Sequence, residues 1–167
     1  MRLITGIDPG LTGGIVTIAD NGTLYSKDVM PLCKIKEKVQ LDLDELGKIL
    51  SAVQGLNRYF VLEKVASMPK QGVASSFKFG RIFGMIEGIL SGISAAYILV
   101  PPQRWTREMT RKYTGKDPKI RAKQAVVDLF PEIDLLATSR SKVPHSGLVD
   151  ALLLAEYGRR NITQLLK

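Results

Sequence analysis

Residues 2 to 8 and 13 to 19 are short, almost continuous apolar runs bounded by Pro, Gly and Asn, the pattern of buried strands. The turn Asp20-Asn21-Gly22 followed by Thr23 to Val29 predicts a hairpin with a third strand beyond it, so the chain opens as an antiparallel meander. Residues 42 to 53 set Leu43, Leu46, Ile49, Leu50 and Val53 on one helical face, with Asp42 placed to cap it. Residues 58 to 65 return as an apolar strand on which Glu63 marks the end. Residues 74 to 93 read as a long helix, Ala96 to Val100 as a short strand stopped by Pro101 and Pro102, and 119 to 129 and 147 to 160 as two further helices. That order predicts an α/β fold, a mixed β-sheet in which an antiparallel meander is followed by parallel strands, flanked by α-helices. The length suits one core, and no repeat or linker divides residues 1–167.

Asp8 is out of place in this pattern. It stands in "GIDPGL", between the first apolar run and a Pro-Gly turn. Glu63 ends the fourth strand, and Asp150 sits inside the apolar "GLVDALLLA" near the start of the last helix. In α/β sheets ligands gather at one end of the strands, so acids distant in sequence can converge there. Clustered carboxylates repel unless protonated or joined by a cation, and hard oxygen ligands suit Mg²⁺ or Mn²⁺. A pair of such ions about 4 Å apart can activate a water and stabilise the leaving oxygen of a phosphodiester. Plainer readings stay open: Asp8 as a turn residue before Pro9, Glu63 paired with a lysine, Asp150 favouring the positive end of its helix.

Charge sharpens the choice. The net charge is +8, and between Pro101 and Ala125 eight cations stand against Glu108 and Asp117. These are Arg104, Arg107, Arg111, Lys112, Lys116, Lys119, Arg121 and Lys123, a surface for a polyanion. Lys70, Lys78 and Arg81, with Lys34, Lys36 and Lys38, are further candidates to grip nucleic acid. The single cysteine, Cys33, forms no internal disulfide, and "MRLITGIDPG" carries no signal-peptide core, which fits a reducing cytoplasm. No stretch of eighteen uncharged apolar residues exists, so no membrane partner is expected.

With the acids placed, the chain resembles the RuvC-type Holliday junction resolvases of the ribonuclease-H-like superfamily, and looks closest to their phage branch. The matching segments, in the family's order, are "GIDPGL", "VLEKV", "MPKQGVASSFKFGRIFG", "VPPQRW", "KIRAKQAVVDLFP" and "HSGLVDALLLAEYGRR". The resemblance implies a ribonuclease-H-like nuclease domain and a homodimer that cuts two opposed strands of a four-way DNA junction with Mg²⁺ or Mn²⁺. Asp8, Glu63 and Asp150 match catalytic, metal-holding positions, Asp8 bridging the ions, and the products implied carry 5′-phosphate and 3′-hydroxyl ends. Lys123 falls where the family carries a functional lysine. If phage-encoded, the protein works in the host cytoplasm.

Two departures qualify the match. Relatives place a further ligand, usually an acid or His, one turn before the final Asp; here Ser146 and Gly147 stand there, and His145 lies five residues ahead of Asp150. Ser146 and His145 are therefore both carried as metal candidates, with a helix cap the alternative for Ser146. In the loop after Glu63, cellular members carry an aromatic that wedges against bases, whereas this chain has Ala66. A missing stacking group worth about 1–3 kcal/mol implies relaxed sequence preference.

Gly80, Gly84, Gly88 and Gly92 recur every fourth residue on the long helix, where each costs about 1 kcal/mol against alanine. Such a ridge licenses close packing, within the chain or against a second subunit. The resemblance favours a dimer interface through Phe79, Gly80, Phe83, Gly84 and Ile86. Alternatives are a branched-DNA binder of weak or no activity and a small ribonuclease-H-like RNA nuclease. Asp8, Gly10 and Thr12 also satisfy the first phosphate motif of actin-like ATPases, but 167 residues leave no room for that family's duplicated domain.

Overall fold

The opening meander forms as β1 (Arg2–Asp8), β2 (Gly14–Ala19) and β3 (Leu24–Val29), each antiparallel to the next. A second hairpin, β4 (Leu32–Ile35) and β5 (Lys38–Leu41), precedes α1 (Leu43–Ser51), which Asp42 caps through the Glu45 N–H. Then come β6 (Asn57–Glu63), α2 (Val73–Gly92), β7 (Ala96–Val100), α3 (Pro102–Thr110), α4 (Pro118–Leu129) and α5 (Ser146–Leu165). The computed structural model describes residues 1–52, 57–66 and 72–165, with side chains through 162. Val53 and Lys70, both singled out in the sequence, lie outside the described residues.

The main sheet runs β3-β2-β1-β6-β7, with β6 and β7 parallel to β1, so the expected mixed α/β architecture is the one found. Alternation along each strand divides the core in two. Ile4, Val16, Ile18 and Val61 face α3, α4 and α5, while Ile7, Ile15, Phe60 and Leu62 face α1 and α2. Helix α5 lies so close over β1 that a side chain on Gly6 would overlap the Ala151 carbonyl and come within 2.9 Å of the Leu154 Cβ. On the opposite face Arg58 is buried and donates to Thr5 Oγ1 (2.8 Å), Thr17 Oγ1 (3.2 Å) and the Leu50 carbonyl (3.1 Å). Burial lowers its pKa to about 10, so it keeps its charge at neutral pH and ties α1 to the sheet.

Two elements depart from the sequence pattern. The β4–β5 hairpin turns on Lys36 and Glu37, both left-handed (φ 46° and 62°), without the Asn-Gly signature of such turns. Pro102, expected only to stop a strand, also opens α3, where its fixed φ suits the first helical turn and its missing N–H costs nothing.

The expected subunit interface also needs correction. Helix α2 turns Ile82, Ile86 and Leu90 into the core, and Ile86 is fully buried within its own chain, unavailable to a partner. Phe83 packs partly against the same cluster. Residues two positions away lie about 200° round the helix, so the glycines face outward. A Cβ added at Gly80, Gly84, Gly88 or Gly92 would meet nothing within 4 Å. Beside them Phe77, unremarked in the sequence, is 74 % exposed. Among the described residues, no helix is long and apolar enough to cross a membrane.

Candidate active site

Strand parity brings the first two acids together. Asp8 shares a face with Ile4 and Gly6, and Glu63 with Val61, so both point toward α5. β1 and β6 are parallel and paired to Ile7 and Leu62, and each acid is the next residue at the carboxyl end of its strand. Asp150 reaches the same place from the first turns of α5. All three are partly buried; Asp8 raises the pKa of both Glu63 and Asp150, and Glu63 adds to the rise at Asp150.

Burial raises the Asp8 pKa, and neither the Gly10 N–H at 3.2 Å from Oδ1 nor nearby His145 pulls it fully back. Glu63 is pushed up to about 7 by burial, with a further push from Asp8 and an opposing hydrogen bond from Trp105 Nε1 to Oε1 at 2.9 Å. Asp150 is likewise pushed up to about 7, by burial first and then by Asp8 and Glu63, with Lys119 opposing. Three desolvated carboxylates against so few donors form an all-oxygen set with uncompensated charge, the chemistry that a hard divalent cation satisfies. Their present spacing is open: among the described residues, no three side chains of Asp, Glu, His or Cys stand close enough to enclose a metal ion. The donor types fit Mg²⁺ or Mn²⁺, and side-chain rotation inward would be needed to complete a shell.

A groove of about 440 Å³ holds Glu63, Trp105 and Asp150, with Arg107, Lys119 and Arg121 among its other walls. Three cations expected to face DNA thus stand beside the acids. Lys123, expected there as well, instead lines a separate groove with Lys112, Tyr113 and Gln124, and Lys119, one turn earlier, is the lysine that acts on Asp150. Lys112 is ion-paired with Asp128, and Arg121 donates to the Gly115 carbonyl. Arg104, Arg111 and Lys116 are exposed, as are Lys78 and Arg81 on α2. Sequence reasoning missed Trp105 as the partner of Glu63; its signal was a lone tryptophan, whose indole N–H must find an acceptor when buried.

The start of α5 explains the departure at the further ligand. Gly147 forms a parallel bridge with Gly13, and a side chain at 147 would run into the backbone of Thr12 and Gly13. From the other side, a Cβ on Gly14 would stand 2.9 Å from the Gly147 carbonyl carbon. An acid at 147 is sterically excluded by the turn that carries Asp8. Ser146 is the first residue of α5. His145 sits just ahead, its N–H donating to the Leu135 carbonyl at 2.8 Å and its carbonyl accepting from Val149 at 3.0 Å. Its Nδ1 is buried with no hydrogen-bond partner among the described residues, and the imidazole is near enough to Asp8 to favour the ionised carboxylate.

No protein-family model matches the chain, and no curated protein matches it in sequence. Among solved structures it is similar to T. thermophilus RuvC in complex with a Holliday junction substrate, with 13 % identity and a TM-score of 0.63 over 98 % of this chain and 96 % of that one. A second Thermus thermophilus RuvC structure gives 15 % identity and 0.59 over the same shares. At this identity the likeness establishes a common fold, the RuvC-like arrangement of mixed sheet and flanking helices.

Proposed function

We propose that this chain is a divalent-cation-dependent endonuclease of branched DNA, four-way junctions above all, working as a homodimer of single ribonuclease-H-like domains of the phage branch. The observation that carries the reading is the pair Glu63 and Asp150 in one groove walled by Arg107, Lys119 and Arg121, with Asp8 near enough to raise the pKa of both. Acids and cations side by side suit phosphodiester chemistry: the cations draw in the backbone and the carboxylates act at the phosphorus. The fold shared with a RuvC solved on a Holliday junction substrate supports the choice of DNA form.

In this reading Asp8, Glu63 and Asp150 hold Mg²⁺ or Mn²⁺, whose contribution when bound is to neutralise the phosphate and make water a stronger nucleophile near neutral pH. Trp105 fixes the rotamer of Glu63 and favours its ionised form. Lys119 offsets part of the charge on Asp150. Arg107 and Arg121 orient the strand, and His145 takes the ligand place that Gly147 leaves empty. A twofold dimer through the open glycine face of α2, with Phe77, Phe79, Gly80 and Gly84, gives two sites for two symmetric cuts. Base selection is weak, with Ala66 in place of a wedge, and the setting is the cytoplasm.

The test is a labelled four-way junction incubated with Mg²⁺ or Mn²⁺. Paired symmetric nicks from the wild type, lost in Asp8→Asn, are expected. Tight binding without cleavage under either ion would leave a branched-DNA binder, and faster cutting of an RNA–DNA hybrid would leave an RNA nuclease.

A further inference from the structure

On the face of the sheet opposite the acids, a cavity of about 90 Å³ opens between the β4–β5 hairpin, the start of α1 and α2. Its walls are apolar: Leu11, Leu41, Leu43, Ile82 and Met85. Gln40 also lines it, and Lys78 and Arg81, both exposed on α2, stand at it. Leu11 belongs to the tight turn closed by Gly13 N–H to the Gly10 carbonyl (2.8 Å), and Gly10 in turn holds Asp8. The cavity and the acid cluster therefore share one turn of chain.

The chemistry of this cavity narrows its occupant. It is far too small for a drug-sized ligand, and it suits the face and edge of one flat ring. Among the described residues the Gln40 amide nitrogen reaches only Cys33 Sγ, at 4.0 Å, so it is lightly held and offers both donor and acceptor to a polar ring edge. Two cations beside it favour a ring attached to an anionic backbone. The segment from Glu63 to Gly72 contains no aromatic residue on which a base could stack. We infer that this cavity receives an unpaired nucleobase of the DNA strand near the one held at the acids, with Lys78 and Arg81 on its flanking phosphates. The inference rests on the branched-DNA reading above and adds where one base is held.

The test couples a base deletion to a cavity-filling substitution. Four-way junctions carrying a single abasic site at each position around the crossover are titrated without added metal, reading fluorescence anisotropy. Wild type is expected to lose about tenfold in affinity at one position, the scale of one buried base contact. Leu43→Trp, at a half-exposed helix start, and Gln40→Ala, which fills nothing, should bind parent and abasic junctions alike at that position. A pyrimidine there should bind at least as well as a purine, given the size of the space. Junction binding with no sensitive position, with a sensitivity that survives both variants, or with a purine preferred would overturn this inference alone. Failure to bind any junction would overturn the branched-DNA reading with it.

Discussion

Trp105 Nε1 donates to Glu63 Oε1 at 2.9 Å, joining the lone tryptophan of α3 to the acid that ends β6. The bond favours the ionised carboxylate, which is already pushed up to about 7 by burial. In Trp105→Phe that brake is gone and the Glu63 pKa rises further. The acid limb of the pH–rate profile should move to higher pH, and kcat at pH 7 should fall about 10- to 100-fold, the usual effect of removing a ligand's orienting partner. An unchanged acid limb beside reduced stability would assign Trp105 a packing role only.

Much of this site was legible because strand parity is a sequence property: Ile4-Gly6-Asp8 and Val61-Glu63 alternate with residues of the other face, so apolar runs already carried both acids to one side. Helix α5 announced Asp150 by surrounding it with leucines. What escaped were features fixed by three-dimensional approach. Lys36 and Glu37 turn a hairpin with no turn residue in sight, because the pairing of Leu32 to Leu41 outward holds them left-handed. Ile86 reads as an interface residue until the glycine face, two positions on, is seen to point the other way. The exclusion at Gly147 depends on Gly13, more than a hundred residues earlier.

Asp150→Asn should stabilise the protein above neutral pH. The folded pKa of about 7 lies above the ordinary 3.8, so between those values the folded state holds the extra proton. Stability therefore falls as pH rises through that window, and ionised Asp150 weighs against folding above it. At pH 8 the substitution should raise the unfolding free energy by on the order of 1–3 kcal/mol, with the gain shrinking to nothing near pH 4. Thermal melts at the two pH values check this. Mn²⁺ should raise the wild-type midpoint at pH 8 and leave the variant's nearly unmoved.

Glu156 behaves oppositely. Its side chain is buried and bound by Arg159 (2.6 and 2.9 Å) and Arg160 (2.7 Å), and Arg159 reaches on to the Asp20 carbonyl at 3.2 Å. Burial opposes ionisation, but the two arginines outweigh it and hold the pKa below the ordinary 4.5. The stabilisation is fully present above pH 4.5 and is lost as pH falls through the lower folded value. Glu156→Gln should cost about 2–4 kcal/mol at pH 7, and less at pH 3. Urea denaturation at both pH values reads the difference.

The cations divide by what already holds them. Arg107 and Lys119 wall the acid groove and form no salt bridge among the described residues, whereas Lys112 is engaged by Asp128. Arg107→Gln or Lys119→Gln should each flatten the slope of log affinity against log salt by about 1. Lys112→Gln should change it less, because a lysine already paired with Asp128 displaces fewer counterions from DNA than an unpaired one. Junction titrations between low and moderate salt measure all three, and equal slopes would refute this division.

Gly147 and His145 provide opposed substitutions two residues apart. At 147 any Cβ meets the backbone of Thr12 and Gly13, on the turn that carries Asp8, so Gly147→Ala must push α5 and that turn apart. The expected loss is about 2–4 kcal/mol, with activity falling because Asp8 moves. Gly147→Asp should do no better, since its carboxylate arrives on the same impossible Cβ. At 145 the reverse holds: both backbone bonds survive His145→Ala, and the substitution removes a buried nitrogen that has no hydrogen-bond partner among the described residues. Folding stability should change by less than about 1 kcal/mol, while Mn²⁺ affinity, read by calorimetry, falls about tenfold or more. Unchanged ion affinity in His145→Ala would assign the imidazole to packing and leave the metal shell to the three carboxylates.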